Sequence, residues 1–132
     1  MSASKKILVV DDERGVRHLL WDVLSGEGFE VSMAEDGEDS LSQLGHTRFD
    51  LVITDIHMPR LDGIELLKRM KKNSRKEKVI IMTGDVSDRR LSDPNLPTVV
   101  SQLEKPVSIA RLLQEVGAAM AGRTGHEKNV RA

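Results

Sequence analysis

Five polar residues stand where apolar runs of this chain end. Asp11 and Asp12 follow Ile7-Leu8-Val9-Val10, Asp55 follows Leu51-Val52-Ile53-Thr54, Thr83 follows Val79-Ile80-Ile81-Met82, and Lys105 follows the run from Val99 to Leu103. If these runs are parallel strands, all five residues reach one edge of a sheet. Three carboxylates, a hydroxyl and an ammonium then share a shallow pocket. Close carboxylates repel unless a cation joins them. An oxygen-only set favours a hard cation, and Mg2+ fits because it keeps waters and also takes phosphate oxygens. With Lys105 as a second positive charge and Thr83 as a hydroxyl donor, the set suits a phosphoryl group carried on a carboxylate. Asp55 is the in-line nucleophile, and the cation and Lys105 neutralise the equatorial oxygens.

The elements that must position these residues are legible from periodicity. The continuous apolar runs read as strands buried on both faces. Val16, Leu19, Leu20, Val23 and Leu24 form the stripe of an amphipathic helix that stops near Gly26 and Gly28. Phe29, Val31 and Met33 alternate with polar residues, as in an edge strand with one wet face. Further helices are expected over Glu38 to Leu44, from Ile64 to about Lys72, and along Ile109, Leu112, Leu113, Val116 and Met120. Strands alternating with helices imply a doubly wound α/β sheet with right-handed crossovers and ligands beyond the strands' carboxyl ends. Between Asp85 and Thr98, Pro94 and Pro97 oppose a regular helix, each at a cost of about 3 kcal/mol in a helix interior. Only a short helix, Ser87 to Leu91, is expected there. Residues 1–4 read as an extension, 5–121 as one domain and 122–132 as a flexible tail without apolar period.

Composition narrows the function classes. The chain has 132 residues, 20 Lys plus Arg against 21 Asp plus Glu, and a net charge of −1. That balance gives no overall attraction to nucleic acid or anionic lipid. Trp21, Phe29 and Phe49 are the only aromatic residues, so base-stacking platforms are nearly excluded. The absence of cysteine removes disulfides, thiol catalysis and Cys-ligated metals. No apolar run approaches the roughly 20 residues needed to cross a bilayer. A cytoplasmic protein that binds neither nucleic acid nor membrane is expected.

Together, Ile7-Leu8-Val9-Val10-Asp11-Asp12, Leu51 to Pro59 (Leu-Val-Ile-Thr-Asp-Ile-His-Met-Pro), Asp62-Gly63, Ile81-Met82-Thr83-Gly84 and Lys105-Pro106 resemble the receiver domain of two-component response regulators. The resemblance covers about Lys5 to Ala121. It implies a flavodoxin-like (βα)5 fold with strand order 2-1-3-4-5, an order that periodicity does not supply. It also implies Asp55 as phosphoacceptor and a Mg2+ site. Asp12 would be a direct ligand, Asp11 a ligand mostly through water, and the His57 carbonyl a further ligand beside Asp55. Thr83 and Lys105 would bind phosphoryl oxygens. The implied protein is a stand-alone, CheY-like receiver, monomeric or weakly dimeric. It is an aspartyl-phosphate phosphoprotein that catalyses only its own phosphorylation and dephosphorylation. A sensor histidine kinase or histidine phosphotransfer protein would supply the phosphoryl group, docking on Gly15, His18, Leu19 and the loop at Pro106, and an unknown downstream protein would read the result.

Two departures concern readout. Gln102 stands where the family commonly has Tyr or Phe, and the fourth helix is broken by prolines. The segment Gly84 to Thr98 is therefore expected to be mobile before activation and to carry the response while Gln102 stays nearly fixed. Simpler readings compete at several positions. Asp11-Asp12 alone could be a helix N-cap, the His57 ring a solvent-exposed loop side chain, and Trp21 either part of the core or a partner contact. The basic run Lys68 to Lys78 reads as a solvated helix end favoured by the helix dipole. Other functions fit less well. An aspartyl-phosphate phosphatase wants an acid where His57 stands, and a flavin carrier would have its phosphate repelled by Asp11-Asp12. A degenerate receiver acting as a phosphorylation-independent binding module is opposed by the complete acidic set.

Overall fold

A computed structural model describes residues 4–121. It contains β1 (Lys6–Val10), α1 (Arg14–Gly26), β2 (Glu30–Ala34), α2 (Gly37–Leu44), β3 (Leu51–Asp55), α3 (Gly63–Lys72), β4 (Lys78–Thr83), β5 (Val99–Glu104) and α4 (Ile109–Met120). The strands form one parallel sheet in the order β2-β1-β3-β4-β5. This is the expected α/β doubly wound fold. The expected tail, 122–132, lies outside the described residues.

The apolar runs are buried on both faces because each strand feeds two cores. Leu8, Val10, Val52, Val79 and Ile81 pack with Leu66, Leu67 and Met70 of α3 on one side. Ile7, Val9, Ile53, Ile80 and Met82 pack with Leu20 and Leu24 of α1 and Leu112 and Val116 of α4 on the other. β2 is the predicted edge strand, and Phe29 and Val31 are half-buried against the α1 and α4 side. Side chains cap three helices: Asp36 accepts from the Asp39 N–H, Asp62 from Glu65 and Ser108 from Arg111.

Between β4 and β5 no regular helix forms, and a single 3₁₀ turn covers Arg89–Ser92. It starts later than the expected Ser87 because Asp85 accepts from both the N–H and the hydroxyl of Ser87, holding that residue in a turn. Asp88 then caps the turn through the Arg90 N–H. Leu91 and Leu96 are this segment's contacts with the core. Charged contacts fasten the rest: Arg90 to Asp62 at 2.6 Å, Lys68 to Asp93 at 3.5 Å, and the Lys71 ammonium to the Pro94 and Leu96 carbonyls at 3.2 and 3.3 Å. The segment is thus better anchored than its composition suggests.

The basic run is also more than a solvated end. Arg75 pairs with buried Glu77 and donates to the Leu44 and Thr47 carbonyls, tying the end of α2 to the start of β4. Lys78 donates to the Ala119 carbonyl at 2.6 Å, near the end of α4. Trp21 remains 43% exposed, which favours the surface alternative.

Candidate functional site

The sheet brings the ends of β1, β3, β4 and β5 to one edge, and Lys105 ties them together. Its ammonium donates to Asp11 Oδ2 at 2.7 Å and to Asp55 Oδ2 at 2.8 Å, and lies 3.5 Å from Glu13 Oε1. The backbone holds Lys105 there, since its N–H donates to the Thr83 carbonyl at 2.9 Å. The Lys105-Pro106 peptide is cis.

Each carboxylate is oriented by a second contact. Asp55 Oδ1 accepts from the Ile56 N–H at 2.6 Å and the His57 N–H at 3.4 Å, which leaves Oδ2 to the lysine. Asp11 Oδ1 accepts from the Glu13 N–H at 2.9 Å, and the Arg17 guanidinium donates to the Asp11 carbonyl. The N-cap of α1 is Glu13, with no side-chain cap, so the N-cap reading of Asp11-Asp12 fails: Asp11 holds the turn before the helix and belongs to the pocket. Asp11 is fully buried, Asp55 nearly so, and Asp12 and Glu13 are exposed. Thr83 is fully buried, and its Oγ1 accepts from the Asp85 N–H at 3.1 Å.

The electrostatics follow from this burial. Desolvation pushes the Asp11 carboxyl above its ordinary value, against the lowering effects of the Lys105 ammonium and the Glu13 N–H; the charge on Asp55 adds to the rise. For Lys105, burial works against the charge, but the two carboxylates outweigh it and hold the ammonium well above its usual range.

One carboxylate oxygen from each of Asp11, Asp12, Glu13 and Asp55 lies within 4.8 Å of the others. Four acids facing one lysine leave excess negative charge in an all-oxygen donor set, which suits a hard divalent cation such as Mg2+. The prediction missed Glu13; its signal was the run Asp11-Asp12-Glu13, three acids in a row after a buried strand. The His57 ring is not part of this group. It is exposed, and its Nε2 lies 3.5 Å from Asp88 Oδ2, near Asp85. That matches the loop reading of the ring; the carboxylate of Asp88 is itself engaged by Arg90. Gln102 is exposed on β5.

Gly63 sets how closely α3 approaches the site. Its N–H donates to the Ile56 carbonyl at 2.8 Å, and a Cβ there would overlap the Asp55 carbonyl oxygen and stand 2.9 Å from Ile56 Cα. Beside the pocket, Val16, Leu19, Leu20, Pro106, Val107 and Ile109 line a groove of about 380 Å³ between α1 and α4 that reaches Lys105. Leu19 is 49% exposed there. Among the described residues, no helix is long and apolar enough to cross a membrane.

Comparison with known proteins agrees with this geometry. Residues 7–117 match the family model of the response regulator receiver domain. The chain is 45% identical over 81 residues to sporulation initiation phosphotransferase F of Bacillus subtilis (strain 168), covering 61% of this chain and 65% of that protein. It is 32% identical over 109 residues to a response regulator receiver protein of Anaeromyxobacter sp. (strain Fw109-5), covering 83% of this chain and 46% of that one. It thus spans between about half and two thirds of the length of these two relatives. A CheY-like receiver domain protein from Methanospirillum hungatei JF-1 superposes with a TM-score of 0.84 at 28% identity, covering 91% of this chain and 96% of that one. The Thermotoga maritima response regulator TrrA, solved in complex with Mg2+ and BeF, superposes with a TM-score of 0.77 at 35% identity, covering 87% and 98%. The chain belongs to the response regulator receiver domain family of two-component systems.

Proposed function

We propose that this receiver accepts a phosphoryl group on Asp55 from a phosphohistidine of a sensor kinase or phosphotransfer protein, and signals through a phosphorylation-dependent protein contact. The observation that carries this reading is Lys105 bridging Asp11 and Asp55 at 2.7 and 2.8 Å. A lone pair on an Asp55 oxygen forms the new O–P bond as the N–P bond of the donor breaks, and the imidazole leaves with that electron pair and takes up a proton. Lys105, already beside the acceptor, keeps its charge throughout and meets the oxygens of the transferred group. The N–H groups of Ile56 and His57 hold the carboxylate in one orientation. Thr83 supplies a hydroxyl at the end of β4 to bond the same group.

Asp11, Asp12, Glu13 and Asp55 would hold Mg2+, with the His57 carbonyl as a further ligand. Bound there, Mg2+ supplies neutralisation of charge on the phosphoryl oxygens. The protein turns over no separate substrate; its chemistry is confined to its own phosphorylation and dephosphorylation. The groove between α1 and α4, with Leu19 and Pro106 on its wall and Gly15 and His18 exposed on α1, offers the donor a surface beside the acceptor.

Incubation with Mg2+ and acetyl phosphate, followed by intact mass, tests the reading. One alkali-labile phosphoryl adduct is expected in the wild type and none in Asp55→Asn. Labelling of Asp55→Asn at the wild-type rate would reject Asp55 as acceptor.

A further inference from the structure

Arg60 stands outside the acidic pocket with about half of its side chain in solvent, yet it lies in the loop that orients Asp55. We propose that Arg60 is a positioning residue for transfer to Asp55: anchored on buried Asp36, it holds the β3–α3 loop whose backbone N–H groups aim the acceptor carboxylate. This rests on the reading of Asp55 as acceptor.

The loop, residues 56–62, leaves β3 at Ile56 and His57, the two residues whose N–H groups bond Asp55 Oδ1. It closes at its base through Gly63 N–H on the Ile56 carbonyl. Its tip is held elsewhere. Arg60 has φ 64°, a left-handed conformation that a residue with a side chain keeps only when its surroundings hold it. Its Nε donates to Asp36 Oδ2 at 2.6 Å, Nη2 reaches the same oxygen, and Glu35 lies 3.7 Å away.

Asp36 is a firm anchor. Its side chain is 4% exposed, and its other oxygen caps α2 through the Asp39 N–H at 2.8 Å. A second link runs beside the first, from the Gly37 N–H to the Leu61 carbonyl at 2.9 Å, at an approach so close that a Cβ on Gly37 would stand 2.8 Å from Leu61 Cβ. The tip of the acceptor loop is thereby fastened to the start of α2 at two points, so losing Arg60 leaves only the Leu61 backbone link there and loosens the span that carries both donors to Asp55. Small displacements of an attacking group cost large factors in rate.

The test measures the initial rate of adduct formation from acetyl phosphate at saturating Mg2+, at a temperature where every variant is folded by circular dichroism. In this assay an Asp55 oxygen bonds to phosphorus and acetate leaves with the electrons of the broken P–O bond. Arg60→Ala leaves a buried carboxylate without its cation, so both stability and rate should fall. The double variant Asp36→Asn/Arg60→Ala removes that charge while its amide oxygen still caps Asp39. It should regain melting temperature yet remain about five- to tenfold slower than wild type. Arg60→Lys keeps the charge without the fork, and should melt near wild type while being at least about twofold slow. A wild-type rate in the double variant or in Arg60→Lys would overturn the proposal. Failure of the wild-type protein to take an adduct on Asp55 would instead reject the functional reading itself.

Discussion

Replacing Gly63 with alanine pits α3 against the strand that carries Asp55. The new Cβ would overlap the Asp55 carbonyl oxygen and press on Ile56 Cα at 2.9 Å; both neighbours are backbone, not a flexible side-chain end that could swing aside. Restoring an ordinary contact distance requires the two segments to part by roughly 1 Å. The hydrogen bond from the Gly63 N–H to the Ile56 carbonyl, now 2.8 Å, stretches or breaks in the same movement. Overpacking of this kind typically costs about 1–3 kcal/mol. For a domain of this size that is a fall in melting temperature of roughly 5–15 °C. Ile56 also carries the N–H that bonds Asp55 Oδ1, so the same shift misaligns the carboxylate. The rate of adduct formation should drop by about 10- to 100-fold. Thermal melting followed by circular dichroism and time-resolved intact mass measure the two effects. A Gly63→Ala protein with wild-type melting temperature and wild-type labelling would show that this close approach does not position Asp55.

Asp12→Ala removes an exposed acid of the pocket and should abolish most Mg2+ binding in calorimetry with little change in stability; unchanged affinity would reject Asp12 as a ligand. The Asp36 carboxyl is held below its ordinary value: burial opposes its charge, but the Asp39 N–H and the Arg60 guanidinium outweigh that cost. Its contribution to stability is therefore present above the unfolded value of about 4 and lost as pH falls below it. Acid titration of melting temperature should show a shallower loss below about pH 4 in Asp36→Asn than in wild type. Arg90→Ala should speed amide exchange across Gly84 to Thr98 by removing the tie to Asp62, and a phosphoryl mimic on the wild-type protein should change exchange there with Gln102 unaffected; changes confined to the strand around Gln102 would place the readout in β5.

The parts of the site that could be read in the sequence were those marked by a change of residue type along the chain. Asp11, Asp55, Thr83 and Lys105 each end a buried run, and a parallel sheet leaves such residues one edge to occupy. Strand order was not marked that way, since β1 and β3 are equally apolar and only the family resemblance put β1 between β2 and β3. Pairings between distant residues were also hidden. Nothing local links Arg60 with Asp36 across 24 positions, or Arg75 with the Leu44 carbonyl across 31. Arg75 looked like one more charge in a basic run because its neighbours in sequence are solvated and its acceptors are not its neighbours. Pro94 and Pro97 correctly excluded a regular helix before β5, but the ionic ties of that segment to α3 depend on tertiary placement and so were missed.

The pairing of Lys105 with Asp11 spans 94 positions, and β1 lies between strands that follow it in the chain. During synthesis, β1 and β2 emerge together but have one side of β1 unpaired until Leu51 to Asp55 is available. Chains with such long-range partners fold slowly and expose apolar strands while they wait. The acidic pocket is completed only after Lys105 has left the ribosome, so a nascent chain can display Asp55 without the cation that bonds its Oδ2. The bridge from Lys105 to Asp11 and Asp55 therefore forms only in chains whose β5 has joined the sheet.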